Sequence, residues 1–129
     1  MLVDTTFWID LLEERARQQT VAEQRPAHRF LAAHRGHILR VSIITWGELA
    51  AGVEDYAQLY GLLKRVRVLS LPMQVAWEAS RIDRALSQMG ERLGENDNWI
   101  AATARAWGMP LVSRDDGFRR VPGLRVMSY

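Results

Sequence analysis

Gly94-Glu95-Asn96-Asp97-Asn98-Trp99-Ile100-Ala101-Ala102 sets an acidic residue where a loop turns into an apolar helix. A carboxylate so placed is carried by a rigid element and faces the loop side. Three other acids have comparable settings. Asp4 closes the apolar run Met1-Leu2-Val3, Glu48 lies one turn into the segment after Ile38-Leu39-Arg40-Val41, and Asp115 or Asp116 follows Leu111-Val112-Ser113. Positions just past strand ends converge on one rim of an α/β sheet, the side on which ligands bind. The pattern predicts a carboxylate-lined metal site on that rim.

Outward from that stretch, the remaining chain supplies sheet and helices. Short apolar runs at residues 1–3, 38–41, 67–71, 111–112 and 124–127 read as strands, separated by turn chemistry and helical spacing. Pro72 at a first helical position and Gly90 past the end delimit the clearest helix, whose Val75, Ala79, Ile82, Leu86 and Met89 form a core-facing stripe. Thr5 or Thr6 is expected to cap a short first helix that dissolves into the charged run 13–25. Pro26 starts a second helix that Gly36 stops, Ser42 caps the one carrying Thr45 and Glu48, and Glu54-Asp55 opens another. A helix from Asp97 ends at Gly108. Helices alternating with strands predict a single α/β domain over residues 1–129, with a mainly parallel central sheet of about five short strands flanked by helices.

Composition narrows the chemistry. The 129 residues, 48% hydrophobic and 25% charged, suit one globular domain. Without cysteine there is no disulfide, thiolate nucleophile or Cys-based zinc site, so any metal binds oxygen or imidazole. Asp10, Glu13 and Glu14 interrupt the early apolar residues, which argues against a signal peptide or membrane span and makes the cytoplasm the expected location. Net charge is +2, yet 16 of the 17 basic side chains besides histidine are arginine, Lys64 being the exception. Guanidinium suits bidentate phosphate contacts and permits a nucleic-acid partner. Solvated faces under an arginine-rich coding bias are the alternative.

Carboxylates crowded together repel one another and raise each other's pKa, so such a cluster persists only where a cation or shared proton compensates. Mg²⁺ takes oxygen ligands, commonly one or two carboxylates plus substrate phosphate. It can activate water and stabilise the leaving oxygen of a phosphodiester. Metal-dependent phosphodiester hydrolysis is the leading chemistry. Each acid also has a capping alternative, since Asp4 and Asp97 sit where a carboxylate accepts backbone N–H bonds. Glu48, inside an apolar helix turn, caps nothing.

Four blocks carry a family resemblance: Asp4-Thr5-Thr6; Ser42-Ile43-Ile44-Thr45-Trp46-Gly47-Glu48-Leu49; the stretch from Gly94 to Ala102; and Leu111-Val112-Ser113-Arg114-Asp115 with Phe118 and Val121-Pro122-Gly123-Leu124. In order and over essentially the whole chain, they resemble the motif blocks of PIN domains, specifically VapC-type toxins. The resemblance implies a Mg²⁺- or Mn²⁺-dependent endoribonuclease, the toxin of a type II toxin–antitoxin pair. Such toxins are usually homodimers, extending to a heterotetramer or larger with a VapB-like antitoxin. It makes Asp4, Glu48, Asp97 and Asp115 the catalytic metal-site acids and Thr6, Thr45 and Asn96 the groups that orient them. Ser113 stands where the family more often has threonine. Gly117 stands where many relatives carry an acid or histidine, and Asp116 is an additional acid.

Other constellations carry less. His28, His34 and His37 lie in a polar helix-to-turn region and read as solvent-exposed. Trp46, Trp77, Trp99 and Trp107 read as core or dimer packing before base stacking. A phosphoacceptor signalling domain would need a lysine near the end of a late strand, and Lys64 is mid-chain. A catalytically silent PIN-fold binding module is the other alternative.

Overall fold

Leu2 and Val3 point to opposite faces of β1 (Leu2–Val3), as do Leu111 and Val112 of β4 (Leu111–Val112), because side chains alternate along a strand. Leu2 and Leu111 enter one buried cluster, Val3 and Val112 the other, and all four are fully shielded from solvent. Strands buried on both faces belong to parallel sheets covered by helices on both sides. The computed structural model describes residues 1–17 and 25–129 and has that arrangement. With β2 (Arg40–Ser42), β3 (Arg67–Leu69) and β5 (Val126–Met127), the sheet runs β3-β2-β1-β4-β5, every pairing parallel. Leu2 sits opposite both Arg40 and Leu111.

On one face, α1 (Thr5–Ala16), α2 (Pro26–Ala33), α3 (Ile43–Ala51) and α4 (Tyr56–Leu63) bury Phe7, Phe30, Leu49 and Leu59. On the other, α5 (Met73–Gln88) and α6 (Glu95–Ala106) pack against each other, Val75, Ala79, Ile82 and Leu86 meeting Ile100 and Ala104. The chain leaves β1 for β2 and β3 on one side and returns to β4 and β5 on the other. The order therefore reverses at β1, and the crevice outside the strand ends lies between β1 and β4, where open α/β sheets bind ligands. There the Asp4 amide donates to the Val112 carbonyl at 3.0 Å.

Several local expectations change. The first helix does not dissolve at Glu13 but continues to Ala16. Glu14 is buried and accepts from the Ala27 and His28 amides at 2.8 and 3.0 Å, while Glu13 pairs with Arg17 one turn on. Of the run 13–25, residues 18–24 lie outside the described part. Asp4, not Thr5 or Thr6, is the N-cap of α1, and Pro72 precedes α5 as its cap instead of opening it. Met89 follows the end of α5 and is exposed, so it is not part of the stripe. Trp77 and Trp107 are exposed, whereas Trp46 and Trp99 pack partly against the two cores. His28 is held by Glu14 at 2.6 Å, and His34 stacks on Phe30 and bonds its carbonyl at 2.8 Å; only His37 of the three is exposed. Gly36 and Gly90 end their helices at φ 92° and 70°, a conformation that favours glycine.

Candidate active site

Asp4 is the fixed point of the rim. It directly follows β1, so the buried strand sets its position, and its side chain is almost wholly buried. Oδ1 accepts from the Thr5 amide at 2.6 Å; Oδ2 accepts from the Thr6 hydroxyl at 2.9 Å and the Ser113 hydroxyl at 2.8 Å. Burial pushes the Asp4 pKa up and neighbouring Glu48 pushes the same way, against the three hydrogen bonds. Capping and a place at the rim coexist here, because the helix N-terminus orients the carboxylate.

Glu48 comes from the outer side of α3. Thr45 and Leu49 of that helix are buried, which turns Glu48 toward the start of α1 and α6. The Thr5 hydroxyl donates to its Oε2, and the Asn96 side-chain amide donates to Oε1 at 2.9 Å. Thr45 does something else: its amide donates to Ser42 Oγ at 2.9 Å, and the two hydroxyls bond at 3.1 Å, closing the cap of α3. No carboxylate takes part.

Asp97 lies in the first turn of α6, whose N-cap is Gly94, so the helix starts earlier than Asp97 and Asp97 is not its cap. An acid in a helix's first turn is favoured by the helix dipole. Even so, its pKa is raised to about 6, chiefly by burial and then by repulsion from Asp4, Asp115 and Glu48. Acids from three other segments thus lie near enough to repel it.

Asp115 follows β4 and caps the short 3₁₀ helix Asp116–Arg120, its Oδ1 accepting from the Gly117 amide at 2.7 Å. Its own amide donates to Ser113 Oγ at 3.1 Å, the same oxygen that donates to Asp4. Asp116 projects into solvent and pairs with Arg119 at 2.8 Å. Thr5 and Ser113 are the groups that sequence reading passed over. Thr5 read as a cap and Ser113 as a stand-in hydroxyl, and only the β1–β4 pairing brings Ser113 against Asp4.

Among the described residues, none of the four acids has a basic partner within ion-pair distance. No three acidic or histidine side chains there are drawn close enough to hold one ion as they stand. The physical reason is visible: Glu48 is occupied by Thr5 and Asn96, and Asp115 by the Gly117 amide. The donors are hard oxygens, the ligand type that Mg²⁺ and Mn²⁺ take. Among the described residues no helix is long and apolar enough to cross a membrane.

The model of a family described as "PIN domain" matches residues 1–124. Ribonuclease VapC2 of Haemophilus influenzae is 36% identical over 97 residues, covering 69% of this chain and 74% of that protein. The tRNA(fMet)-specific endonuclease VapC of Salmonella typhimurium is 31% identical over 97 residues, with the same coverage of 69% and 74%. Among solved structures, VapBC-1 from nontypeable Haemophilus influenzae superposes with a TM-score of 0.77 at 27% identity, over 98% of this chain and 96% of that one. DNA-bound VapBC from Salmonella typhimurium is alike in fold, with a TM-score of 0.81 at 24% identity over the same shares.

Proposed function

The chain belongs to the PIN-domain family, and from that premise we propose that it is the toxin of a VapBC-type pair, a metal-dependent endoribonuclease acting as one nuclease domain over residues 1–129. The observation that carries the reading is the convergence of four acids on the β1–β4 rim: Ser113 Oγ joins Asp4 to the Asp115 amide, Asn96 beside Asp97 holds Glu48, and among the described residues none of the four has a basic partner within ion-pair distance, with which the raised pKa of Asp97 agrees. Such a cluster asks for a cation. Asp4, Glu48, Asp97 and Asp115 would hold Mg²⁺ or Mn²⁺, which when bound supplies activated water and neutralises charge at the phosphodiester. Thr6 and Ser113 keep Asp4 aimed at the rim, and Thr5 and Asn96 hold Glu48. Thr45 acts at one remove, by fixing the start of α3. Above about pH 6 Asp97 is ionised and available as a ligand.

Water is the nucleophile and the 3′-oxygen leaves, so the product carries a 5′-phosphate. The partners are RNA as substrate, a second copy of the chain, and a VapB-like antitoxin. The test is cleavage of single-stranded RNA with and without EDTA, with the product ends identified. Cutting that survives exhaustive chelation, or a 2′,3′-cyclic phosphate product, would sink the mechanism. An absence of cutting with either Mg²⁺ or Mn²⁺ would point to a silent binding module.

A further inference from the structure

Four carboxylates repel the phosphodiester they are meant to receive, so a strand reaching them needs a cation beside the rim that is not already neutralised. The segment from β4 to the turn at Pro122 offers three arginines. Arg114 is paired with Asp10 at 3.0 Å, and Arg119 with Asp116 at 2.8 Å. Arg119 also donates to Ser128 at 2.5 Å. Arg120 has no acidic partner among the described residues and is exposed. Instead its Nε donates to the Gly117 carbonyl at 3.2 Å, which lays the guanidinium along the 117 peptide.

That peptide is tied to the rim by a continuous run of bonds. Ser113 Oγ donates to Asp4 and accepts from the Asp115 amide; Asp115 Oδ1 accepts from the Gly117 amide; the Gly117 carbonyl accepts from Arg120. Gly117 is not in the left-handed region, so backbone freedom does not explain a glycine there. Space does. A Cβ at 117 would lie 2.9 Å from Asp115 Oδ1 and 3.4 Å from Arg120 Nη2. The missing side chain leaves room for both the Asp115 carboxylate and the Arg120 guanidinium beside residue 117.

Resting on the ribonuclease reading, we propose that Arg120, seated over Gly117 and lacking an acidic partner, is the residue that binds a backbone phosphate of the single-stranded RNA entering the site. The guanidinium fork offers two parallel donors to a phosphate, and its seat on the carbonyl uses only Nε. The contact is made in the ground state and the transition state alike, so it sets affinity more than turnover.

The experiment measures binding of a fluorescently labelled single-stranded RNA by anisotropy in EDTA across a salt series. Arg120→Ala should lower the slope of log K against log salt by about 0.7, the share of one single-strand phosphate contact, and weaken binding about fivefold at 0.1 M salt. Arg120→Lys should keep most of the slope. Gly117→Ala should lose part of it, and Arg84→Ala, an exposed arginine on α5, should match wild type. In Mg²⁺, Arg120→Ala should raise KM with kcat within about twofold. An unchanged slope in Arg120→Ala, or an equal loss in Arg84→Ala, overturns the proposal. RNA cut in EDTA would instead sink the ribonuclease mechanism, and the two failures are told apart because binding is read without turnover.

Discussion

Asp97 holds its proton to about pH 6 because it is buried and faces three other carboxylates, and that has a signed consequence for stability. Its folded pKa lies above the ordinary 3.8, so its contribution favours folding below that value and is lost as pH rises through about 6. Asp4, raised by its burial, acts in the same direction. Thermal stability without metal should therefore decline between about pH 4 and 6, while Mg²⁺ affinity rises over the same interval because ligands must be deprotonated. Asp97→Asn should abolish cleavage, flatten the decline and leave stability at pH 7 equal or higher. A variant that fails to fold would assign Asp97 a structural role instead. The adjacent acids make a second contrast. Asp115 contributes to the repulsion felt by Asp97, whereas Asp116 is spent on Arg119 in solvent. Asp115→Ala should cut activity at least about tenfold, roughly 1.4 kcal/mol in the transition state. Asp116→Ala should stay within a few-fold, and the reverse ranking in a metal-saturated assay would move the fourth acid by one residue. The acids could be picked from the chain because strand ends and helix starts announce themselves. Thr5 and Ser113 could not be given partners, because their bonds to Glu48 and Asp4 span 43 and 109 residues.

The helices and strands depend on partners that local pattern does not display. α2 starts at Pro26 with no side-chain cap from Arg25. Its N-terminus is satisfied from α1, where Glu14 accepts the Ala27 and His28 amides and the His28 ring. Burial alone would raise the Glu14 pKa, yet these three bonds and the charge on His28 hold it below the usual range. Glu14→Ala leaves the fully buried Ala27 amide without an acceptor and should cost about 1–3 kcal/mol. Urea denaturation measures this, and a loss under about 0.5 kcal/mol would show that water replaces the carboxylate. Read as part of a charged run, Glu14 carried no such signal, because the partner that makes it valuable lies across a turn. The five strands were legible from their apolar runs, but their limits were not. β2 shifted to Arg40–Ser42 and β5 shortened to Val126–Met127, since pairing with a neighbour, not hydrophobicity, decides where a strand begins. α5 was legible through four of its five stripe residues, each buried against α6 or the sheet; Met89 failed because the helix had already ended.

For the whole molecule, a chain of net charge +2 gathers four carboxylates at one corner of the sheet, none of them ion-paired among the described residues. Two kinds of group could discharge that corner: a divalent ion, which on the proposed reading makes it a catalyst, or a basic side chain from another protein, which would silence it. An arginine suits the second role, because its planar fork can bridge two carboxylates. Asp4 and Asp97 are the pair it would reach, one immobilised by Thr6 and Ser113, the other raised in pKa chiefly by burial and then by the acids around it. The proposed VapB-like antitoxin should then inhibit by occupying the metal's place, and not by covering a distant face. The two occupants exclude each other, so the antitoxin's apparent Kd should weaken as Mn²⁺ rises, and antitoxin should expel bound Mn²⁺ in equal measure, as linkage requires. Electron paramagnetic resonance of aqueous Mn²⁺ reads this directly. Free-ion signal should appear on titration with antitoxin and should not appear with an antitoxin whose cleft-entering arginine is replaced by alanine. A stable complex that keeps its Mn²⁺ while cleavage is blocked would place inhibition elsewhere, on the path of the RNA instead of at the acids.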